Sequence, residues 1–292
     1  MAAPEPAFTY ESMLNLYFSD DSGMIRISDM DLAFAPEGDI NAAVVVTDSE
    51  NTVVKSYKFY AEPRFRKGVY ARMSEVGPAD FELTEPGVYN LVFLIDGKPI
   101  SRLAFALELT SEGDDPFDPV KKYRFIGMWQ VYGYLFMNTL RDEPFPELNL
   151  WLGGKDLAEG DSKDTFIATV KDEEGKVLAH SKDTQGYYGD GHYEETEISL
   201  YFPHTHERVV NAMPYMLSDW VANDGHYTIE VTRSSDKQLL RRFHVVVKDG
   251  KIEELPATNL KFEPHVDYIV PRVDDKHSQN YGFEKAIWLK SE

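Results

Sequence analysis

The sequence predicts an all-β protein of two tandem antiparallel β-sandwich domains with a C-terminal tail. Three observations predict it. First, the chain repeats itself. Glu85-Pro86-Gly87-Val88-Tyr89-Asn90-Leu91-Val92-Phe93 matches Asn223-Asp224-Gly225-His226-Tyr227-Thr228-Ile229-Glu230-Val231, an offset of 138 (Gly87 to Gly225) that also relates Phe105 to Phe243. Second, strand chemistry dominates: Ala42–Val46, Val88–Ile95, Leu103–Leu109, Phe166–Val170, Tyr227–Val231 and Phe243–Val247 are short and rich in β-branched or aromatic residues. Third, turn residues recur about every ten positions, the spacing of a β-sandwich.

The elements follow in order. The first domain spans about 8–110. Val45–Val54 reads as strand, polar turn and strand, and it matches Thr169–Leu178 at an offset of 124 (Asp48 to Asp172). Pro63, Val69 and Met73 then match Pro203, Val209 and Met213 at an offset of 140. The jump between these offsets requires an insertion in the second copy, at 183–197. Asp96-Gly97-Lys98-Pro99 turns a hairpin in the first copy, and Ser234-Ser235-Asp236-Lys237 turns its counterpart. Residues 111–120 are an acidic linker, because Pro116, Pro119 and four acids do not continue a strand.

The second domain spans about 121–250. Its dense apolar run Phe125–Met137 reads as one buried first strand. Tyr227, Ile229 and Val231 face a core, while Thr228, Glu230 and Thr232 face water. Val209–Val221 carries a helix-like apolar stripe, but Pro214 interrupts it, so a strand followed by a loop or a single helical turn is expected. The tail, 251–292, is mostly polar. Its apolar end, Phe283–Leu289, is expected to dock as an edge strand.

The segment Glu-Pro-Gly-Val-Tyr-Asn-Leu-Val-Phe, the turn Asp-Gly-Lys-Pro-Ile and the closing strand together resemble the last two strands of immunoglobulin-like and fibronectin-type domains. The resemblance covers about 80–105 and 218–243 and implies tandem immunoglobulin-like sandwiches. It implies no functional residues. The cysteine–tryptophan–cysteine pin of antibody domains is absent from the sequence.

Composition narrows the function. The chain of 292 residues has a net charge of −20. That sign opposes binding to nucleic acid and to anionic membrane surfaces, both of which need basic patches. No apolar run is long enough for a membrane-spanning helix, so no membrane insertion is expected. There is no cysteine, which removes disulfides, cysteine-ligated zinc, iron–sulfur centres and thiol nucleophiles. No cofactor motif is present, and no Gly-x-Ser-x-Gly elbow or phosphate loop is found. The small-residue, Pro-rich start Met1–Ala7 reads like the beginning of a mature exported chain, so a secreted or periplasmic location is expected, with the cytoplasm as the alternative.

The candidate ligand site is the Tyr/Gly-rich loop of the second copy: Tyr187, Tyr188, Asp190, His192 and Tyr193, interleaved with Gly186, Gly189 and Gly191. Glycines permit unusual backbone angles, and tyrosines offer rigid amphipathic contact area. Rings beside acids also suit a sugar, whose C–H faces stack while its hydroxyls bond to carboxylates. The competing reading is that these tyrosines cover an edge of their own sheet. His204 and His206 form a His-x-His pair whose imidazoles share one side of an extended chain, a weak metal-site signal. The expectation is therefore a non-enzymatic exported binding or adhesion protein that takes a glycan or protein ligand. The alternatives are a structural spacer whose tail adds as a strand to a neighbour, and a metal-dependent β-sandwich hydrolase using His192, His204 and His206.

Overall fold

A computed structural model describes residues 7–8, 16–19, 24–27, 29–33, 42–66, 68–75, 80–95, 97–112, 121–127, 130–153, 156, 158, 163–181, 186–188, 192–203, 213–255 and 287–292. Among these residues nearly all regular structure is antiparallel strand, with one helix of four residues. The chain divides into two compact units. Unit 1 comprises Met1–Met128, Gly191–Tyr193 and Leu260–Tyr281; unit 2 comprises Trp129–Asp190, Glu194–Asn259 and Gly282–Glu292.

Unit 1 contains β1 (Ala7–Phe8), β2 (Leu16–Ser19), β3 (Met24–Ile27), β4 (Asp29–Ala33), β5 (Ala42–Thr47), β6 (Val53–Arg66), β7 (Gly68–Glu75), β8 (Asp80–Glu82), β9 (Gly87–Ile95), β10 (Lys98–Glu112) and β11 (Lys121–Gly127). Its larger sheet runs β1-β4-β7-β6-β5-β9-β10-β11, while β2, β3 and β8 lie side by side in another. Alternation places Val44, Val46, Tyr89, Leu91, Leu103, Phe105, Leu107 and Phe125 in its core.

Unit 2 contains β12 (Tyr132–Leu140), β13 (Glu143–Gly153), β14 (Lys163–Lys171), β15 (Val177–His180), β16 (Gly186–Tyr188), most of β17 (His192–Ser199), α1 (Leu217–Trp220), β18 (Gly225–Arg233), β19 (Leu239–Lys248), β20 (Lys251–Ile252) and β21 (Ile287–Lys290). One set of neighbours is β21-β12-β13-β17, and another is β15-β14-β18-β19-β20 with β16 also on β14. A continuous core joins them. Leu135, Met137, Leu148, Leu150 and Ile198 from the first set meet Phe166, Val170, Ile229, Val231, Phe243 and Val245 from the second. Burial at this density is the main stabilising term, at about 1.5–3 kcal/mol for each large side chain.

The run Phe125–Met137 is two strands, not the single one expected. β11 pairs with β10 in unit 1 (Phe105 opposite Gly127), and β12 pairs with β13 and β21 in unit 2. An unbroken apolar run cannot show which sheet each half joins, because both faces are buried in either case. The first segment of unit 1 thus ends at Met128, where the sequence suggested a second domain from 121. The Val209–Val221 stretch contributes the single turn α1. The Asp219 carboxylate there accepts the Met216 backbone N–H, and Trp220 is fully buried. Residues 204–212 lie outside the described residues.

The repeat is visible in the backbone pairing. In unit 1 the order β6-β5-β9-β10 has the counterpart β15-β14-β18-β19 in unit 2. Val46 lies opposite Lys55 and Leu91; Val170 lies opposite Ala179 and Ile229. Both copies place a bulge at the next residue, after Val46 and after Val170. Both turns are closed by an aspartate. Asp48 accepts the N–H groups of Glu50 and Thr52 at 2.9 and 2.8 Å, and Asp172 accepts those of Glu174 and Lys176 at 3.1 and 2.8 Å. Asn51 and Gly175, in the same place in each turn, have φ of 64° and 78°, a left-handed conformation suited to these two residues. The equivalence of Phe105 and Phe243 does not survive. Phe105 pairs with Tyr89, whereas Phe243 pairs with Ile229, so Val245 takes the place of Phe105. The longer turn after β18 moves β19 by two residues.

Candidate functional site

The described residues of the 183–197 segment are strand. Gly186, Tyr187 and Tyr188 form β16 and pair with Thr165, Asp164 and Lys163 at the start of β14. β16 lies on the edge of β14 away from β18, the same edge that β15 uses farther along. His192 and Tyr193 begin β17. They group with unit 1, where they pair with Ser19 and Phe18 of β2. Four of the five candidate residues, Tyr187, Tyr188, His192 and Tyr193, are therefore split between two strands with different partners. Asp190 lies outside the described residues, as do His204 and His206. Among the described residues no group of three or more histidines or acids is arranged to hold a metal ion, and no helix is long and apolar enough to cross a membrane.

Beside the β14–β16 pair stands a buried charge network that the sequence reading did not single out. Arg241, only 6% exposed, donates from both terminal nitrogens to Asp156, itself 4% exposed, at 2.7 and 2.9 Å. It also donates to the Leu240 and Trp151 carbonyl oxygens. Arg233, 4% exposed, donates to the Asp156 carbonyl at 2.7 Å and to both carboxylate oxygens of Asp236 at 2.9 and 2.6 Å, and also to Gln238. Its Nε lies 3.9 Å from Asp164. Asp164, the residue in register with Tyr187, also accepts a hydrogen bond from the Ser235 hydroxyl.

Planar guanidinium groups suit this arrangement because each offers five donors in a fixed fork, and here the acceptors match them. Burying an unmatched charge would cost several kcal/mol, so the network holds the loop at Asp156, the end of β13, the start of β14 and the β18–β19 turn in one geometry. The Arg233 hydrogen bonds hold the Asp236 carboxyl down at about 2. Chemically the network is an acid-rich support: two cations face Asp156, Asp164 and Asp236.

A sequence signal for the network does exist. Arg233 continues the inward phase of Tyr227, Ile229 and Val231, and Arg241 precedes that of Phe243, Val245 and Val247. A charged residue in a core phase has to find a partner. The corresponding positions of unit 1 are Ile95 and, by strand register, Ser101, so the network belongs to the second copy alone.

The described tryptophans have a different role. Trp151, Trp220 and Trp288 are 5%, 0% and 3% exposed. Tyr134 packs on Trp288 and Trp151 with ring centroids 5.0 and 6.2 Å apart, and Trp220 sits between Tyr215 and Tyr227. Burial, reinforced by the nearby Asp219, pushes the Tyr215 hydroxyl up to about 12. These rings are structural.

No protein-family model and no curated protein matches the chain, so what it does has to be read from its own residues.

Proposed function

We propose that the chain is a non-enzymatic, exported binding protein of two immunoglobulin-like sandwiches, secreted or periplasmic, whose ligand is a glycan or a protein held at the Tyr/Gly-rich segment of the second copy. One observation carries the reading. The two copies share the register of β5–β6–β9 and β14–β15–β18, and among the described residues the second copy alone has a separate Gly186–Tyr188 strand on the start of β14 with a buried Arg–Asp network next to it. A duplicated framework that keeps its pairing while one copy gains a braced aromatic edge fits recognition better than it fits a plain spacer.

The immunoglobulin-like part draws support from Tyr89 and Tyr227. Each is the third residue of its strand and donates its hydroxyl to the backbone oxygen four residues upstream, Glu85 and Asn223, at 2.6 and 2.8 Å. That corner is a habit of immunoglobulin-like domains.

The test has two steps. A glycan array and a panel of immobilised extracellular proteins first identify a ligand for the full chain. Tyr187, Tyr188 and Tyr193 are then changed together to alanine. Binding is expected to weaken at least about tenfold, since each aromatic contact is worth about 0.5–1.5 kcal/mol, with the melting temperature nearly unchanged. Unaltered affinity in the triple variant would sink the site, and a melting temperature that collapses with the affinity would make those tyrosines edge packing.

A further inference from the structure

The segment 287–292 closes unit 2 from far along the chain. β21 pairs with β12 from Leu135 opposite Ile287 to Tyr132 opposite Lys290. The next two residues cross to β19. Ser291 donates its N–H to the Val131 oxygen at 2.6 Å and bridges to Phe243, and the Glu292 N–H reaches the Arg242 oxygen at 3.1 Å. Trp288 and Leu289 are buried, at 3% and 2% exposed. The Glu292 carboxylate meets His244 at 2.8 Å and Arg242 at 3.5 Å.

Unit 1 solves the same problem locally. There the outer edge of β10 is covered by β11, which follows it directly in sequence. In unit 2, among the described residues, the matching edge of β19 receives the two residues of β20 and the Glu253 N–H, and then Ser291 and Glu292 from beyond residues 256–286.

We propose that the slot between β12 and β19 is a strand-acceptor site, and that besides this chain's own segment it takes residues 287–292 of a second copy. The inference is independent of the ligand reading above. Each tie that holds the segment is blind to which copy supplies it: a backbone ladder, two apolar anchors, and an acid facing Arg242 and His244. Only the tether favours the chain's own segment, by keeping it near its own slot. Once one segment has crossed, the reciprocal crossing is intramolecular, and the product is a closed two-fold pair with no new contact required.

The absence of cysteine makes the exchange directly readable. One full-length copy carries Arg242→Cys and another carries Glu292→Cys. These residues face each other across the Phe243–Ser291 bridge, at about the 5.5 Å separation of an antiparallel hydrogen-bonded pair, which a disulfide spans. Neither copy can close a disulfide within itself, so a covalent pair joining the two different variants, told from same-variant pairs on a non-reducing gel by a size tag on one of them, reports a segment that has crossed. The expected yield is at least about tenfold above a collision control with Lys98→Cys in place of Arg242→Cys, and it falls to that control when Trp288→Ala and Leu289→Ala are added to the donor. A yield equal to the control, or one indifferent to losing the anchors, overturns the proposal. A single chain carrying both cysteines checks that the substitutions are tolerated. It is expected to close on itself as a monomer, and failure to close with the β-sheet circular dichroism intact overturns the proposal as well.

Discussion

The hydroxyls of Tyr89 and Tyr227 each replace a lost water contact with a backbone carbonyl, and burial raises both phenols above the ordinary 10.0. Tyr89→Phe and Tyr227→Phe are each expected to lower stability by about 1 kcal/mol, because the carbonyl is left unpaired while the ring stays packed. Urea unfolding of the two variants measures this, and a loss at one site only would mean that the two corners are not equivalent. Glu230 offers a pH test. It accepts from Lys171 at 2.5 Å and from Arg242 at 2.8 Å, and the Lys171 hydrogen bond in particular, helped by Arg242, holds its carboxyl below the ordinary 4.5. A depressed carboxyl contributes its stability above the unfolded value, and that contribution is lost as the pH falls through the folded value. Glu230→Gln is therefore expected to cost about 1 kcal/mol at pH 7, a modest figure because Lys171 and Arg242 are one-third exposed or more. The cost is expected to vanish as acid denaturation proceeds below pH 4.5; a gap of constant size would refute the ladder. In unit 1 the position of Glu230 is held by Val92, so this ladder cannot form there.

At the scale of elements, the hairpins were readable because a tight polar turn between two alternating runs leaves the chain few options. Gly97 and Ser234–Lys237 both stand in turns between paired strands, as the residues suggest, and Asp96 lies outside the described residues. Turn length was the weak point: the register of β19 depends on how many residues hydrogen-bond around the bend, and this moved Phe243 by two positions. The Phe125–Met137 run misled for another reason, since apolarity records burial without recording which neighbour does the burying. Gly133, within that run, shows what close pairing demands. A Cβ there would meet the Asn149 oxygen at 2.8 Å and the Phe243 ring at 3.0 Å. Gly133→Ala is expected to destabilise the protein by about 1–3 kcal/mol through forced separation of β12 and β13. A neutral result in thermal unfolding would show that the strands can move apart freely.

For the whole molecule, the pairing order that recurs in the two units was readable, and the ways in which the units differ were only partly so. The insertion was visible as a change of offset. Its conversion into β16 and β17 was not, because glycine and tyrosine favour loops and edges alike. The Arg233–Asp156–Arg241 network was missed because its members are far apart in sequence, although the phase of both arginines advertised it. One asymmetry has a practical consequence. Trp129, Trp151, Trp220 and Trp288 all belong to unit 2, and the three described among them are shielded from water. Intrinsic indole fluorescence will therefore report the melting of one half only, starting from a blue-shifted emission. The other half can unfold unseen by that probe, so emission and far-ultraviolet circular dichroism are expected to give different midpoints. Coincident curves would mean that both halves lose their structure in one step.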